Sequence, residues 1–358
     1  MKKALIAMSG GVDSSVAAFL AKQEGYDCAG VTLKLFDNDD ISLSREKTCC
    51  SLDDIEDARA VCRSIGIPYF VYNFKDCFRE QVIDRFIRAY ETGATPNPCV
   101  DCNRFIKFEK LVQRAEELGF DRVVTGHYAT VERVGDRYLL KKAADPSKDQ
   151  SYVLYPLTQR QLEKAYFPLG SMTKEETRGL AESLGFINAR KHDSQDICFV
   201  PDGDYAAFIE RYTGKAYPHG EFTDENGRVL GEHKGIIRYT IGQRKGLGLA
   251  LPHPMYVKEK DLAANRVILC DNERLFSREL LAKEINLIAT ERIDAPIRVT
   301  ARVRYNQKEQ PATAVQLDDD TLRVTFDEPQ RAICKGQAVV LYDGDCVVGG
   351  GTIVQSVN

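Results

Sequence analysis

A chain of 358 residues, 43% of them hydrophobic and 28% charged, has an ordinary globular composition and the length of two or three domains. The net charge of −4 excludes a bulk polycation, so any polyanion site must be a local patch, and no apolar run approaches the roughly 18 residues of a membrane span. Eleven cysteines, an odd number, argue against a purely structural disulfide framework and are expected as mostly reduced thiols in a cytoplasmic protein.

The first 200 residues alternate strand and helix patterns. "ALIAM" (4–8) reads as a strand, and the apolar run stops too soon for a signal peptide. Residues 12–24 carry Val12, Val16, Ala17 and Leu20 at helical spacing. "CAGVTLKLF" (28–36) reads as a strand, and "SLDDIEDARAVCRSIG" as a helix capped by Ser51 and stopped at Gly66. "IPYFVYNF" is a strand, 76–91 and 104–118 are helices, and "DRVVTGHY" is a strand running into a turn. This alternation predicts an α/β domain with a helix-covered parallel sheet over 1–204. A less legible stretch, 205–280, is expected to form a small central domain. From 281 to 358, "IRVTARVRY", "ATAVQL", "TLRVTF" and "QAVVLY" alternate in period 2 and predict a small antiparallel barrel.

Three stretches carry chemistry. "MSGGVDSSV" (8–16) joins the first strand to the first helix. Gly10 and Gly11 allow a tight turn and close approach of a ligand. The helix N-terminus favours an anion, and Ser9, Ser14 and Ser15 add hydroxyl donors. Asp13 beside a phosphate suggests a ligand for Mg²⁺. No GK[ST] follows, so this is not a Walker loop. In "ATPNPCVDCNRFIKFEK" (94–110), two X-Pro pairs stiffen the approach to Cys99-x-x-Cys102 and a helix from about Asn103. Thiols near a helix N-terminus are expected to ionise more easily. A zinc site would want a second CxxC, and the sequence has none. In "KHDSQDICFVPDGDY" (191–205), Cys198 between Ile197 and Phe199 reads, by itself, first as a buried core cysteine.

The loop resembles the PP-loop of the ATP pyrophosphatases, which cleave ATP between its α- and β-phosphates. The wider chain resembles the tRNA-specific 2-thiouridylases of the MnmA type. Eight blocks carry that resemblance in order: "MSGGVDSS", "TPNPCVDCNRFIKF", "TGHYA", "KDQSYVLY", "DSQDICF", "GEHKGIIRYTIGQRKGLG", "VRYNQ" and "GQAVVLYDGDCVVGGGTI". The resemblance implies an enzyme that adenylates the C2 carbonyl oxygen of the wobble uridine in tRNAs for Lys, Glu and Gln. Sulfur then replaces that oxygen. Cys198 falls at the persulfide-carrying position and Cys102 at the partner thiol. Ala7, Met8, Ser9, Gly10, Gly11, Val12, Asp13, Ser14, Leu33 and Gly126 fall where the family holds ATP. Asn97, Pro98 and Cys99 would line the target base, which must be extruded for chemistry. His127, Lys148, Asp149, Gln150, Arg304, Tyr305 and Gln337 match tRNA contacts. The basic "RYTIGQRKGLG" (238–248) corresponds to a segment that rearranges as tRNA docks. The cosubstrate would be ATP with Mg²⁺, and the partners tRNA and a sulfur-relay protein or cysteine desulfurase, with no membrane.

Cys99 departs from the family pattern, because some members carry Asp there, and the sequence leaves the direction of nearby Asp101 open. A rival reading follows: Cys99, Cys102 and Cys198 as ligands of a 4Fe–4S cluster with one open iron. The Cys49-Cys50 pair is a further candidate for sulfur relay.

Overall fold

The computed structural model describes residues 1–37, 52–192 and 197–357; Cys49-Cys50 and the Ser51 cap lie outside the described residues. The chain opens with β1 (Lys3–Ala7), helix α1 (Val12–Gln23), β2 (Asp27–Lys34), helix α2 (Leu52–Ser64) and β3 (Tyr69–Asn73). Strand β4 (Arg122–Val124) follows two further helices. A hairpin, β5 (Thr130–Val134) and β6 (Arg137–Lys141), then precedes β7 (Ala165–Tyr166). Strands β3-β2-β1-β4-β7 form one parallel sheet in that order. Both faces are covered, which is why β1 reads as unbroken apolar sequence. Ala4 and Ile6 pack under α1 with Val16 and Ala17, whereas Leu5 faces the opposite layer with Val31 and Phe108.

The central segment, illegible by periodicity, folds as a helix (Tyr205–Thr213) and four strands: β8 (Gly220–Thr223), β9 (Val229–His233), β10 (Tyr256–Asp261) and β11 (Arg266–Cys270). Their order is β10-β11-β8-β9 around Phe222, Val257, Val267 and Leu269. The last six strands are β12 (Phe276–Leu287), β13 (Ile297–Arg302), β14 (Gln310–Gln316), β15 (Leu322–Arg331), β16 (Ala338–Asp343) and β17 (Cys346–Val357). They close into a barrel because β12 pairs with both β15 and β17, which leaves no free edge. Alternate residues such as Leu280, Val299, Ala312, Val324, Val339 and Ile353 fill it.

The barrel is bonded directly to the N-terminal half. Lys141 of the hairpin pairs with Cys346. The Tyr152 hydroxyl donates to the Ala338 carbonyl at 2.9 Å, and Asn286 donates to the carbonyls of Tyr155 and Leu157. The hairpin does have a local signal, since "TVERVGDRYLLK" shows strand alternation around a Gly-Asp turn.

The aromatic cluster Phe78, Phe86, Phe199 and Phe208 ties the segment carrying Cys198 to two helices. Phe86 and Phe199 rings lie 5.2 Å apart edge-to-face, and Phe199 and Phe208 5.3 Å apart. Phe86→Ala is expected to cost about 3–5 kcal/mol. Phe70→Ala, on the exposed edge strand β3, should change stability by less than about 0.5 kcal/mol. Denaturant unfolding of the two variants checks the contrast.

Candidate active site

A cleft of about 680 Å³ opens at the C-terminal ends of β1, β2 and β4, lined by the Ser9–Ser14 turn, Leu33, Gly126, His127, Cys99, Cys102 and Cys198 among others. This is where an open parallel sheet binds ligands. Gly10 has φ +76°, and a Cβ there would lie 2.4 Å from the Asp54 carbonyl oxygen. Only glycine fits, and Gly10 itself lies behind the lining. The Ser14 and Ser15 hydroxyls donate to the Gly11 carbonyl at 3.0 Å, and the Ser9 amide donates to the Ser14 hydroxyl at 3.2 Å. Gly11, the N-cap of α1, offers no side chain to the first turn, so the amides of that turn lack a side-chain cap. Asn188 braces the loop from outside, donating to the Gly10 carbonyl and the Ser15 hydroxyl, each at 2.9 Å.

Asp13 is committed elsewhere than to a metal. Its carboxylate accepts from Lys174 at 2.7 and 2.8 Å and from the Tyr128 hydroxyl at 2.9 Å. Among the described residues, no three His, Cys, Asp or Glu side chains gather as a metal site. In this arrangement the Asp13 carboxylate is paired with a lysine rather than open to Mg²⁺. Cys99, Cys102 and Cys198 share the cleft wall without forming the ligand set of a cluster.

The cysteine helix begins earlier than sequence reading placed it. Pro98 is its first residue, and Asn97 caps it, accepting from the Cys99 amide at 3.1 Å. Asn before Pro at N1 is a sequence signature of such a start. Helix then continues to Glu117, with a π-helical stretch from Cys102 to Lys110. The expected easy ionisation of Cys102 is reversed: burial pushes its thiol up to about 11, against the lowering effect of Lys107 and with the raising effects of Cys99 and Asp101. Desolvation outweighs the helix N-terminus because a thiolate loses more hydration than nearby amides return.

Asp101 faces away. It lines a second hollow with Arg85, Asn97, Tyr155 and Glu284, on the other side of the helix start. Burial raises its carboxyl to about 6 against the pull of Arg85, whose Nε is 3.5 Å away. Asp101 thus does not stand in for an acid at position 99, and Asn97 shapes the cleft as a cap rather than as lining.

The expected tRNA contacts divide. Lys148, Gln150, His127 and Tyr305 line the cleft. Asp149 is buried, accepting from the amides of Ala143 and Ser151 and from the Ser151 hydroxyl. Arg304 donates to the carbonyls of Ile241 and Ala332 and to the Cys334 Sγ, tying the 238–248 segment to the barrel. Gln337 donates to the Thr95 carbonyl at 2.8 Å, next to the cysteine helix. Sequence reading missed Lys107, Tyr128, Lys191 and Asn306, which also line the cleft. Lys191 bridges Asp54 and Asp57. Its signal was weak, because a lysine beside a motif is ordinarily solvated.

Family models match the whole of this architecture: a "tRNA methyl transferase HUP domain" over residues 2–202, a "tRNA methyl transferase PRC-barrel domain" over 206–271 and an "Aminomethyltransferase beta-barrel domain" over 277–353. A protein of Clostridioides difficile named tRNA-specific 2-thiouridylase MnmA is 51% identical over 357 residues, covering 99% of each chain. Namesakes from Clostridium acetobutylicum and Acetivibrio thermocellus are 48% and 49% identical, over 98% of this chain and 99% of theirs. The chain belongs to the MnmA family of tRNA-specific 2-thiouridylases. Among the described residues, no helix is long and apolar enough to cross a membrane.

His127 gives this site a pH signature. Burial first, and Lys107 second, hold its imidazole well below the usual value of 6.5. The unfolded chain takes up that proton below about pH 6.5 and the native one does not, so stability falls as pH drops through that value. Unfolding of His127→Asn is expected to lose that acid-side slope, checked by denaturation between pH 5 and 8.

Proposed function

We propose that this protein uses ATP to replace the C2 oxygen of a tRNA wobble uridine with sulfur. The observation that carries the reading is that one cleft is lined both by residues of the Ser9–Ser14 loop and by Cys102 and Cys198. Family membership supports the substrate. ATP is taken as its magnesium complex, the adenine toward Leu33 and the β- and γ-phosphates on the amides of the Ser9–Ser14 turn.

The uridine O2 attacks the α-phosphorus, the bridging oxygen bond breaks and pyrophosphate leaves. The base, losing its N3 proton, carries AMP at C2. The terminal sulfur of a Cys198 persulfide then attacks C2, and the C–O bond breaks to release AMP. Cys102 attacks the Cys198 sulfur of the resulting mixed disulfide. That frees 2-thiouridine and leaves a Cys102–Cys198 disulfide, which a dithiol reduces. A sulfur-relay protein or desulfurase reloads Cys198. Cys102 is held neutral in the resting cleft, which keeps it from consuming the persulfide before the base arrives.

Pro98, Cys99, His127, Lys148, Gln150 and Tyr305 surround the extruded base. Asp149, Arg304 and Gln337 act one step back, by fixing the loops that present these groups.

Cys198→Ser and Cys102→Ser are each expected to abolish thiolation of unmodified tRNA while retaining tRNA-dependent pyrophosphate release. Cys99→Ala should thiolate from a persulfide donor without bound iron. Loss of activity in Cys99→Ala, together with about four irons per chain in anaerobically purified wild type, would establish the cluster route instead.

A further inference from the structure

Gly126, at the end of β4, packs so closely on the loop that a Cβ would lie 2.6–2.9 Å from backbone atoms of Asp13 and Ser14. His127 follows it. Its Nδ1 is 2.7 Å from the Thr125 hydroxyl, and its Nε2 is 3.5 Å from the Lys107 ammonium. Lys107 is therefore reached from the phosphate loop through two adjacent residues. From the other side it is reached along the cysteine helix. Cys102 and Lys107 are five residues apart, which in an α-helix at 3.6 residues per turn would place them about 140° apart around the axis. The π-helical winding over Cys102–Lys110 bonds i to i+5 instead. It brings both side chains onto the face that lines the cleft.

The charges around this point are unequal. At the loop, Lys174 is paired with Asp13 and Lys191 with Asp54 and Asp57. Lys107 instead contacts a neutral imidazole, which donates through one nitrogen or accepts through the other but contributes no negative charge. Its ammonium thus remains uncompensated by its hydrogen-bond partner, in the wall of the cleft that the loop residues and Cys102 also line.

We propose that Lys107 is a further catalytic residue, whose ammonium stabilises the negative charge that develops on the α-phosphate as the uridine O2 attacks it. The inference rests on the adenylation reading above and assigns a group to it. The O2–Pα bond forms and the bond from Pα to the bridging oxygen breaks. Pyrophosphate carries away the electron pair. Lys107 stays protonated throughout and transfers no proton. A fixed cation at such a centre acts on the transition state more than on bound ATP. His127 is the positioning residue, anchored by Thr125 and holding the ammonium in place without neutralising it.

The test is single-turnover pyrophosphate release with unmodified tRNA and no sulfur donor, so that the cysteine steps do not contribute. Lys107→Met is expected to slow the saturated rate on the order of 100-fold, with the affinities for ATP and tRNA within about threefold of wild type. Lys107→Arg should restore a substantial part of that rate, since it returns the charge. A saturated rate equal to wild type in Lys107→Met overturns the proposal. So does a loss confined to ATP or tRNA affinity, or a Lys107→Arg variant no better than Lys107→Met when both melt like wild type. Should Lys107→Met fail to fold, Lys107→Gln takes its place in the same comparison. A wild-type enzyme that releases no pyrophosphate in response to tRNA would overturn the adenylation reading itself, a result separate from any difference among the variants.

Discussion

The close approach of Gly126 to the Asp13–Ser14 backbone is the constraint on which the rest of the cleft depends. It fixes the end of one strand against the start of α1. The side chains that follow, His127 and Tyr128, then have set directions. Tyr128 turns to Asp13 and Thr177, and His127 turns to Thr125 and Lys107. Any side chain at 126 would push the strand end off the loop, because close-packed backbone has nowhere to move.

Burial decides the state of the Cys102 thiol. Cys102 lies near the start of a helix and close to a lysine, two features that favour a thiolate. Desolvation is nevertheless larger, and the thiol stays neutral. Cys198 is held differently. Its neighbour Phe199 is locked among Phe78, Phe86 and Phe208, so the C-terminal side of Cys198 is anchored in the core.

The barrel does more than add surface. Gln337 holds the Thr95 carbonyl just before the cysteine helix, and Arg304 holds the 238–248 segment through Ile241. Tyr305 donates to the Asp149 carbonyl and stacks edge-to-face on Tyr152, 5.9 Å between ring centres. Through these bonds the C-terminal strands brace a cleft lined mainly by the N-terminal half.

Much of this was legible in the residue order. The β-α alternation gave the parallel sheet, period-2 stretches gave the barrel, and SGGVDSS between strand and helix marked a loop that lines the cleft, because these features are local and repeat with the geometry of the backbone. Ordered motif blocks marked the family, and two of them carry Cys102 and Cys198, which share the cleft wall. Some local signals were there and were misread: Asn97 before Pro98 announces the helix start that X-Pro stiffness obscured. Other features have no local signal. Spacing does not tell that Asp101 turns to a separate hollow, that Asp13 is paired with Lys174, or that Arg304 and Gln337 bond within the protein. Nor does it tell that a π-helical stretch puts Lys107 on the same face as Cys102. Those outcomes depend on desolvation and on partners more than 100 residues away in several cases. The sequence by itself determined which groups are available. Tertiary packing decided which of them meet, and which are charged, because burial and pairing are properties of the assembled fold.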